Sequence, residues 1–384
     1  MATPFAPPLP DDLPDGWSAH VPQLDDVPAL VGLSKQVARD VTGASSSSAP
    51  QVASEVAGTA SWTRRQVVVS DAEGAEVAWA RVHDRAAGRT GVELSVSPEL
   101  SSEVAARVAS SLLAWSATVA LRIAQGRGLG GTKLDVTVYE DEERKQQWLA
   151  ADGYECTRTW LHMSRPVTPE EGLEGGVPAP REGLRVRRVA THDNGLPVAH
   201  DLQVVHRMLE ESFADHFNSY RESFPEFVQR LREDPGHRWD HWWIAELDVA
   251  REDLERLVEG GAAPDDLAAD ALAPGEVEVV PGGAVVSTVS GPDAEGIPGS
   301  YIEYIGVHRL ARGRGVAKAL LWTVVADAAE RGRNRVGLEV DADSPTGADG
   351  LYTSMGWRTT YRTQSWHRTL MVPGSDGPVP QPAV

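Results

Sequence analysis

The sequence predicts a mixed α/β (α+β) fold built twice over. Apolar residues recur every second position in short segments and at helical spacing in longer ones, along both halves of the chain. PVTPEEGLEGGVPAPREG, residues 166–183, has the Pro, Gly and Glu content of a linker and divides the 384 residues into similar halves. The ends of those halves also match: WLAADGYE at 148–155 answers LYTSMGWR at 351–358. At about 150 residues per domain, two domains are expected. Their bounds read as a disordered tail 1–15, a domain 16–165, a linker 166–182, a domain 183–372 and a disordered tail 373–384.

The first half opens with a strand in WSAHV, a helix near 27–40, and strands at 66–69, 77–82 and 92–98. A long apolar helix follows near 103–124, then a strand at 133–140 and the closing segment RKQQWLAADGYE. GRGLGG at 126–131 lies after a helix and before a strand, so it reads as a helix cap and loop that binds nothing.

The second half repeats the order. Leu184 to Val189 alternates as a strand, and Leu202, Val205, Met208, Leu209 and Phe213 share one face of a helix over 200–217. A short helix at 224–231 precedes strands at 241–247, 284–290 and 300–307. A helix over 316–331 stops at Gly332, and 336–340 is a strand. A short helix to Met355, a turn at Gly356 and a strand at 361–370 complete the half. Neighbouring strands come early and a strand, helix, strand crossover comes late, which implies a mixed sheet. The acidic, Ala-rich insertion 248–276 reads as a surface embellishment or a lid with one helix.

Acidic residues outnumber basic ones 56 to 36, a formal charge of −20, so most of the surface repels nucleic acid and anionic membranes. Cationic substrates are mildly favoured. The single cysteine, Cys156, allows no intrachain disulfide. The N-terminal residues have neither the basic nor the apolar region of a signal peptide, and LLAWSATVALRIA is short for a bilayer span and contains Arg122. A cytoplasmic protein with no nucleic-acid or membrane partner is expected. His237, Asp240 and His241 form the one tempting metal cluster, but the tryptophans around them point to an aromatic strand entrance, and no metal is expected.

Against this acidic background VHRLARGRGVAKALL, residues 307–321, concentrates Arg309, Arg312 and Arg314 with Gly313 and Gly315 ahead of a helix. A glycine-rich turn at that place exposes backbone N–H groups at the positive end of the helix dipole, where a phosphate binds favourably. Gly313 and Gly315 admit positive φ and let an anion reach the main chain. A Rossmann fingerprint would need glycine at Lys318, and a P-loop would need Gly-Lys-Ser/Thr. Neither is present.

The strand ending in Val307, followed by Arg312-x-x-Gly315-x-Ala317 at the start of a helix, resembles the acetyl-CoA motif R/Q-x-x-G-x-G/A of the GNAT family of N-acetyltransferases. LEVDADSPTGADGLYTSMGW resembles the family's second signature, in which a strand leads to a short helix with Leu-Tyr and a Gly-aromatic turn. The resemblance implies two tandem GNAT-like domains, each a mixed, mostly antiparallel sheet flanked by helices, similar in arrangement to mycothiol synthase and related tandem proteins. ESFADHFNSY and HWWIAEL add to that likeness. It further implies acetyl-CoA as cosubstrate and a small-molecule amine as acceptor. Arg312, Gly313, Arg314, Gly315, Val316 and Ala317 would hold the diphosphate, and the main chain of Ile305, Gly306 and Val307 would polarise the thioester carbonyl. Ser344 stands where the family often has Asn, a position that meets the pantetheine arm or caps the next helix. Tyr352 matches the tyrosine beside the sulfur. With an ordinary pKa of about 10 against about 8.5 for a thiol, it would protonate the leaving group. Strand alternation puts Tyr301, Glu303 and Ile305 on one face, which makes Glu303 the candidate base, with Glu339 in reserve.

Aligning the halves at Val96 and Val307 sets Ser101, Val104 and Ala106 against Arg312, Gly315 and Ala317. A valine in place of the glycine crowds the backbone, and Glu99 and Glu103 repel a phosphate. Leu149 stands opposite Tyr352. The first copy is therefore expected to be silent. An acyl-CoA sensor that binds without turnover is the competing reading of the second.

Overall fold

The structure, a computed structural model, describes residues 9–10, 12–42, 48–85, 88–212, 222–250, 277–344 and 347–379. In chain order the first elements are β1 (Ser18–His20), α1 (Val27–Thr42), α2 (Ala49–Ala57), β2 (Arg64–Ser70), β3 (Glu76–Asp84), β4 (Arg89–Val96), α3 (Ser102–Gly126), β5 (Gly131–Tyr139), α4 (Glu143–Ala151) and β6 (Glu155–Pro166). Then come β7 (Leu184–Arg188), α5 (Ala199–Ser212), α6 (Phe224–Arg232), β8 (His237–Ala250), β9 (Val277–Ser290), β10 (Gly299–Val307), α7 (Val316–Glu330), β11 (Arg335–Asp341), α8 (Ala348–Ser354) and β12 (Arg358–Met371). The chain forms two compact units. One holds Met1–Met163, Val228–Pro235 and Glu339–Pro382; the other holds Ser164–Phe227 and Gly236–Leu338.

In the first unit the strand order is β1-β2-β3-β4-β5-β12-β6. β2, β3 and β4 pair antiparallel, and β4 pairs parallel with β5 after the α3 crossover. Alternation along the strands serves two cores. Val67, Val69, Ala78 and Ala80 pack with Val108, Leu112 and Val119 of α3, while Val68 and Trp79 face Leu30 and Leu33 of α1 and Val52 of α2. Burying each such leucine contributes roughly 1.5–3 kcal/mol. Trp79 keeps its indole satisfied by donating to Gln66 Oε1 at 3.1 Å. α3 is long and apolar enough to span a bilayer, and over half of that stretch is buried here as the spine of the unit.

Segments expected elsewhere join this unit. β12, at the far end of the chain, pairs antiparallel with β5 from Thr363↔Tyr139 to Met371↔Gly131. Trp160 of β6 donates to Ser365 Oγ at 2.8 Å, and Arg368 donates to Asp152 at 2.5 Å. A cut at the expected linker therefore misplaces 339–372, because the ladder to β5 outweighs nearness in sequence. Glu233 accepts from Arg64 Nη1 and Thr63 Oγ1, both at 2.6 Å, and so anchors the segment Val228–Pro235. Both expected tails are also partly ordered. Arg107 donates to Asp12 at 3.1 Å and to the Leu13 carbonyl at 3.0 Å, and Gly130 N–H donates to the Pro378 carbonyl at 2.9 Å. The sequence reading missed α2, which hides in Ser- and Ala-rich sequence but has Ser48 as its cap and Pro50 in its first turn. It also missed β6.

In the second unit the order is β11-β10-β9-β8-β7. β7 through β10 pair antiparallel, and β10 pairs parallel with β11. The helices α5 and α7 cover opposite faces. A β-carbon on Gly306 would meet Leu209 and Ser212 of α5, and one on Gly283, paired with the next residue Val307, would meet Val316 and Leu320 of α7. The expected linker is not loose here. Its 3₁₀ turn Pro169–Gly172 is closed by a capping box between Thr168 and Glu171 and packs on α7. The insertion 251–276 and the expected end of α5 beyond residue 212 lie outside the described residues.

Candidate active site

β10 delivers the chain to the glycine-rich loop and α7 leaves it. A single turn, Arg309–Ala311, lies between them. Gly315 is the N-cap of α7 with φ 91° and ψ 5°, and Gly313 has φ 78°. These are left-handed conformations that cost an L-residue about 1–2 kcal/mol, so glycine is the expected occupant. The cap carries no side chain to satisfy the helix start. The first intrahelical bond runs from Ala319 N–H to the Gly315 carbonyl at 3.1 Å. No side chain caps the helix start, so the first-turn amides of α7 lack the partner that a Ser or Asp cap would give them. Arg309 and Arg312 are exposed and Arg314 is half-buried beside them. The result is a concave set of donors at the positive end of a 15-residue helix.

The equivalent helix of the first unit is closed. α3 begins after Ser101, whose hydroxyl accepts from Val104 N–H at 3.4 Å. Matching helix start to helix start sets Ser101 against Gly315, which corrects the expected pairing of Ser101 with Arg312; the connection from β4 is three residues shorter than that from β10 (97–101 against 308–315). Ser101 spends its oxygen on an amide whose counterpart Gly315 leaves without a side-chain partner.

A second device lets the loop form, and the sequence reading missed it. A β-carbon at Gly283 would lie 2.6 Å from the Gly306 carbonyl oxygen and 2.9 Å from Val316 Cγ1. Only a glycine in β9 lets α7 start so close to the sheet. The signal was the Gly282-Gly283 pair inside a strand pattern, which marks close backbone approach.

Glu303 sits at an irregularity in the ladder. Ile302 pairs with Ser287 and Tyr304 with Val286, so Glu303 is the extra residue of a bulge. The bulge breaks the strict alternation expected for Tyr301, Glu303 and Ile305. Glu303 is half-buried, and Thr288 Oγ1 donates to its carboxylate at 3.4 Å. The parallel register between β10 and β11 is confined to Ser300–Ile302 and Val336–Leu338, while β10 runs on through Ile305, Gly306 and Val307 along β9.

Residues 207–357 match the family profile described as "Acetyltransferase (GNAT) family". That segment, about two fifths of the chain, is similar to the GNAT family. The GNAT fold extends over most of the chain. A GCN5-related N-acetyltransferase from Sphaerobacter thermophilus superposes with a TM-score of 0.62 at 22% identity, covering 94% of this chain and 97% of that one. A tandem GNAT protein from the clavulanic acid biosynthesis pathway does so with a TM-score of 0.57 at 15% identity, covering 94% and 100%. A comparison with curated proteins gives no match.

The other residues expected at the site, Glu339, Ser344 and Tyr352, lie in the first unit. Tyr352, on α8, is 7% exposed, with its ring centroid 6.2 Å from that of Trp357. Burial pushes its hydroxyl up to about 12. Ser344 does not cap α8, because the cap position falls to Gly347, with φ 61°. The reserve base Glu339 is exposed and lies 3.5 Å from His162 Nε2. Burial lowers His162 to about 4, so at neutral pH this contact is not an ion pair. In the second unit both nitrogens of the buried His241 are engaged: Nδ1 donates to Asp240 and Nε2 accepts from Arg333, each at 2.6 Å. That histidine is a structural junction.

Proposed function

We propose that the chain is an N-acetyltransferase that moves an acetyl group from acetyl-CoA to a primary amine of a small molecule. The observation that carries this reading is the uncapped start of α7 at Gly315, in contrast to the start of α3, which Ser101 caps. The first-turn amides of α7, with Arg312 and Arg314, suit the diphosphate of coenzyme A. In the reaction, the amine nitrogen bonds to the thioester carbonyl carbon and the C–S bond breaks. Main-chain groups of Ile305 to Val307 would stabilise the charge that develops on the carbonyl oxygen. Glu303 would accept the amine proton, and Tyr352 would donate its proton to the departing sulfur. A phenol held near 12 stays protonated at neutral pH. Ser344 would meet the pantetheine arm.

Free thiol release from acetyl-CoA, followed across a panel of small amines, tests the reading. Amine-dependent release supports it. Binding of acetyl-CoA with no turnover on any amine would make the protein an acyl-CoA sensor instead.

A further inference from the structure

The segment that joins the two similar halves runs along α7 from one end to the other within the second unit. At the C-terminal end of α7 it is pinned by Gly172, whose β-carbon position lies 2.8 Å from the Glu330 nitrogen. The two guanidinium nitrogens of Arg165 meet Glu171 at 2.5 and 3.1 Å, and the same group lies 5.1 Å from the Trp322 ring centroid. At the N-terminal end the Leu184 N–H donates to the Arg181 carbonyl at 3.0 Å as the chain enters β7. Arg181 is thereby held over the glycine-rich loop. Its Nη1 donates to the Gly313 carbonyl at 3.1 Å, and its Cδ and Nε lie 3.2 Å from where a β-carbon on Gly315 would be.

This placement has no structural explanation in charge pairing. Among the described residues Arg181 has no carboxylate partner, although the protein carries 20 more acidic than basic residues (56 against 36). It lies instead on a loop that already bears Arg309, Arg312 and Arg314. Its fork of five N–H donors has one committed to Gly313, which fixes its orientation and leaves others beside Gly315, the cap of α7.

We propose that Arg181 is a phosphate-binding residue of the acyl-CoA site, supplied by the inter-half segment and directed at the diphosphate. This rests on the acetyl-CoA reading above. The test is the dissociation constant of full-length wild type, Arg181→Ala and Arg181→Lys for acetyl-CoA, for its 3′-dephospho form and for acetyl-pantetheine. Arg181→Ala should weaken acetyl-CoA and the 3′-dephospho form equally, by about 10-fold or more, as expected for a lost charge-assisted hydrogen bond. Acetyl-pantetheine should bind as to wild type, and Lys should restore part of the loss. Unchanged or tighter binding of acetyl-CoA by Arg181→Ala overturns the proposal, as does a loss confined to the 3′-phosphorylated ligand. Failure of wild type to bind acetyl-CoA would instead overturn the acetyl-CoA reading itself.

Discussion

The hydroxyl of Ser101 accepts the amide of Val104 at 3.4 Å, whereas Gly315, at the same place in the other copy, offers α7 no side chain. The chain should therefore bind one acetyl-CoA, not two, by calorimetry. Gly315→Val should abolish that binding, since a β-branched residue at φ 91° is strained and covers the amides. Gly313→Ala separates strain from blockage: its β-carbon meets nothing within 4 Å, so it should cost about 1 kcal/mol of stability with a smaller loss of affinity. Normal binding by the valine variant would refute the cradle.

Gly283→Ala adds one methyl group between the Gly306 carbonyl and Val316. Overpacking of this kind costs about 1–3 kcal/mol, and here it also displaces the start of α7. Urea denaturation should show a lower midpoint at unchanged slope, and acetyl-CoA affinity should fall although residue 283 is not placed in contact with the ligand.

Tyr352→Phe removes the proposed donor and should lower kcat by about 10²–10⁴-fold. It also has a stability signature. The folded pKa is raised from 10.0 to about 12, so between those values the folded state holds a proton that the unfolded state gives up. The contribution is complete below pH 10 and is lost as pH rises through 12; in full it is about 3 kcal/mol. The phenylalanine variant should therefore lose less stability than wild type across that alkaline range, as followed by denaturant titrations.

Expression of residues 180–384 alone should give a poorly soluble product. That fragment carries β12 without β5, the strand that pairs with it from Gly131 to Tyr139. An unpaired edge of 14 residues is an aggregation site. Co-expression with residues 1–179 should restore solubility, and a soluble, monomeric fragment would contradict the pairing.

Periodicity and glycine placement carried the sequence reading a long way. β10, α7 and the loop between them fall where alternation, helical spacing and Gly315 put them, because those signals are local. The destination of β12 is not local. Nothing in RTTYRTQSWHRTLM states that Tyr139 to Gly131 will be its partner; that follows from which ladder is left open at the end of the chain. The bulge at Glu303 was invisible for a similar reason, since a bulge is defined by the partner strand. Arg181 looked like linker composition, and only the packing of Gly172 on α7 gives it an address.

The position of β12 also sets an order of events. Arg358 to Met371 are synthesised more than 200 residues after Tyr139, yet the sheet begun by residues 18–139 needs that strand between β5 and β6. During synthesis the early strands must wait with a gap in their midst until β12 has been made, and for that interval the nascent chain depends on whatever in the cell shields an unfilled sheet.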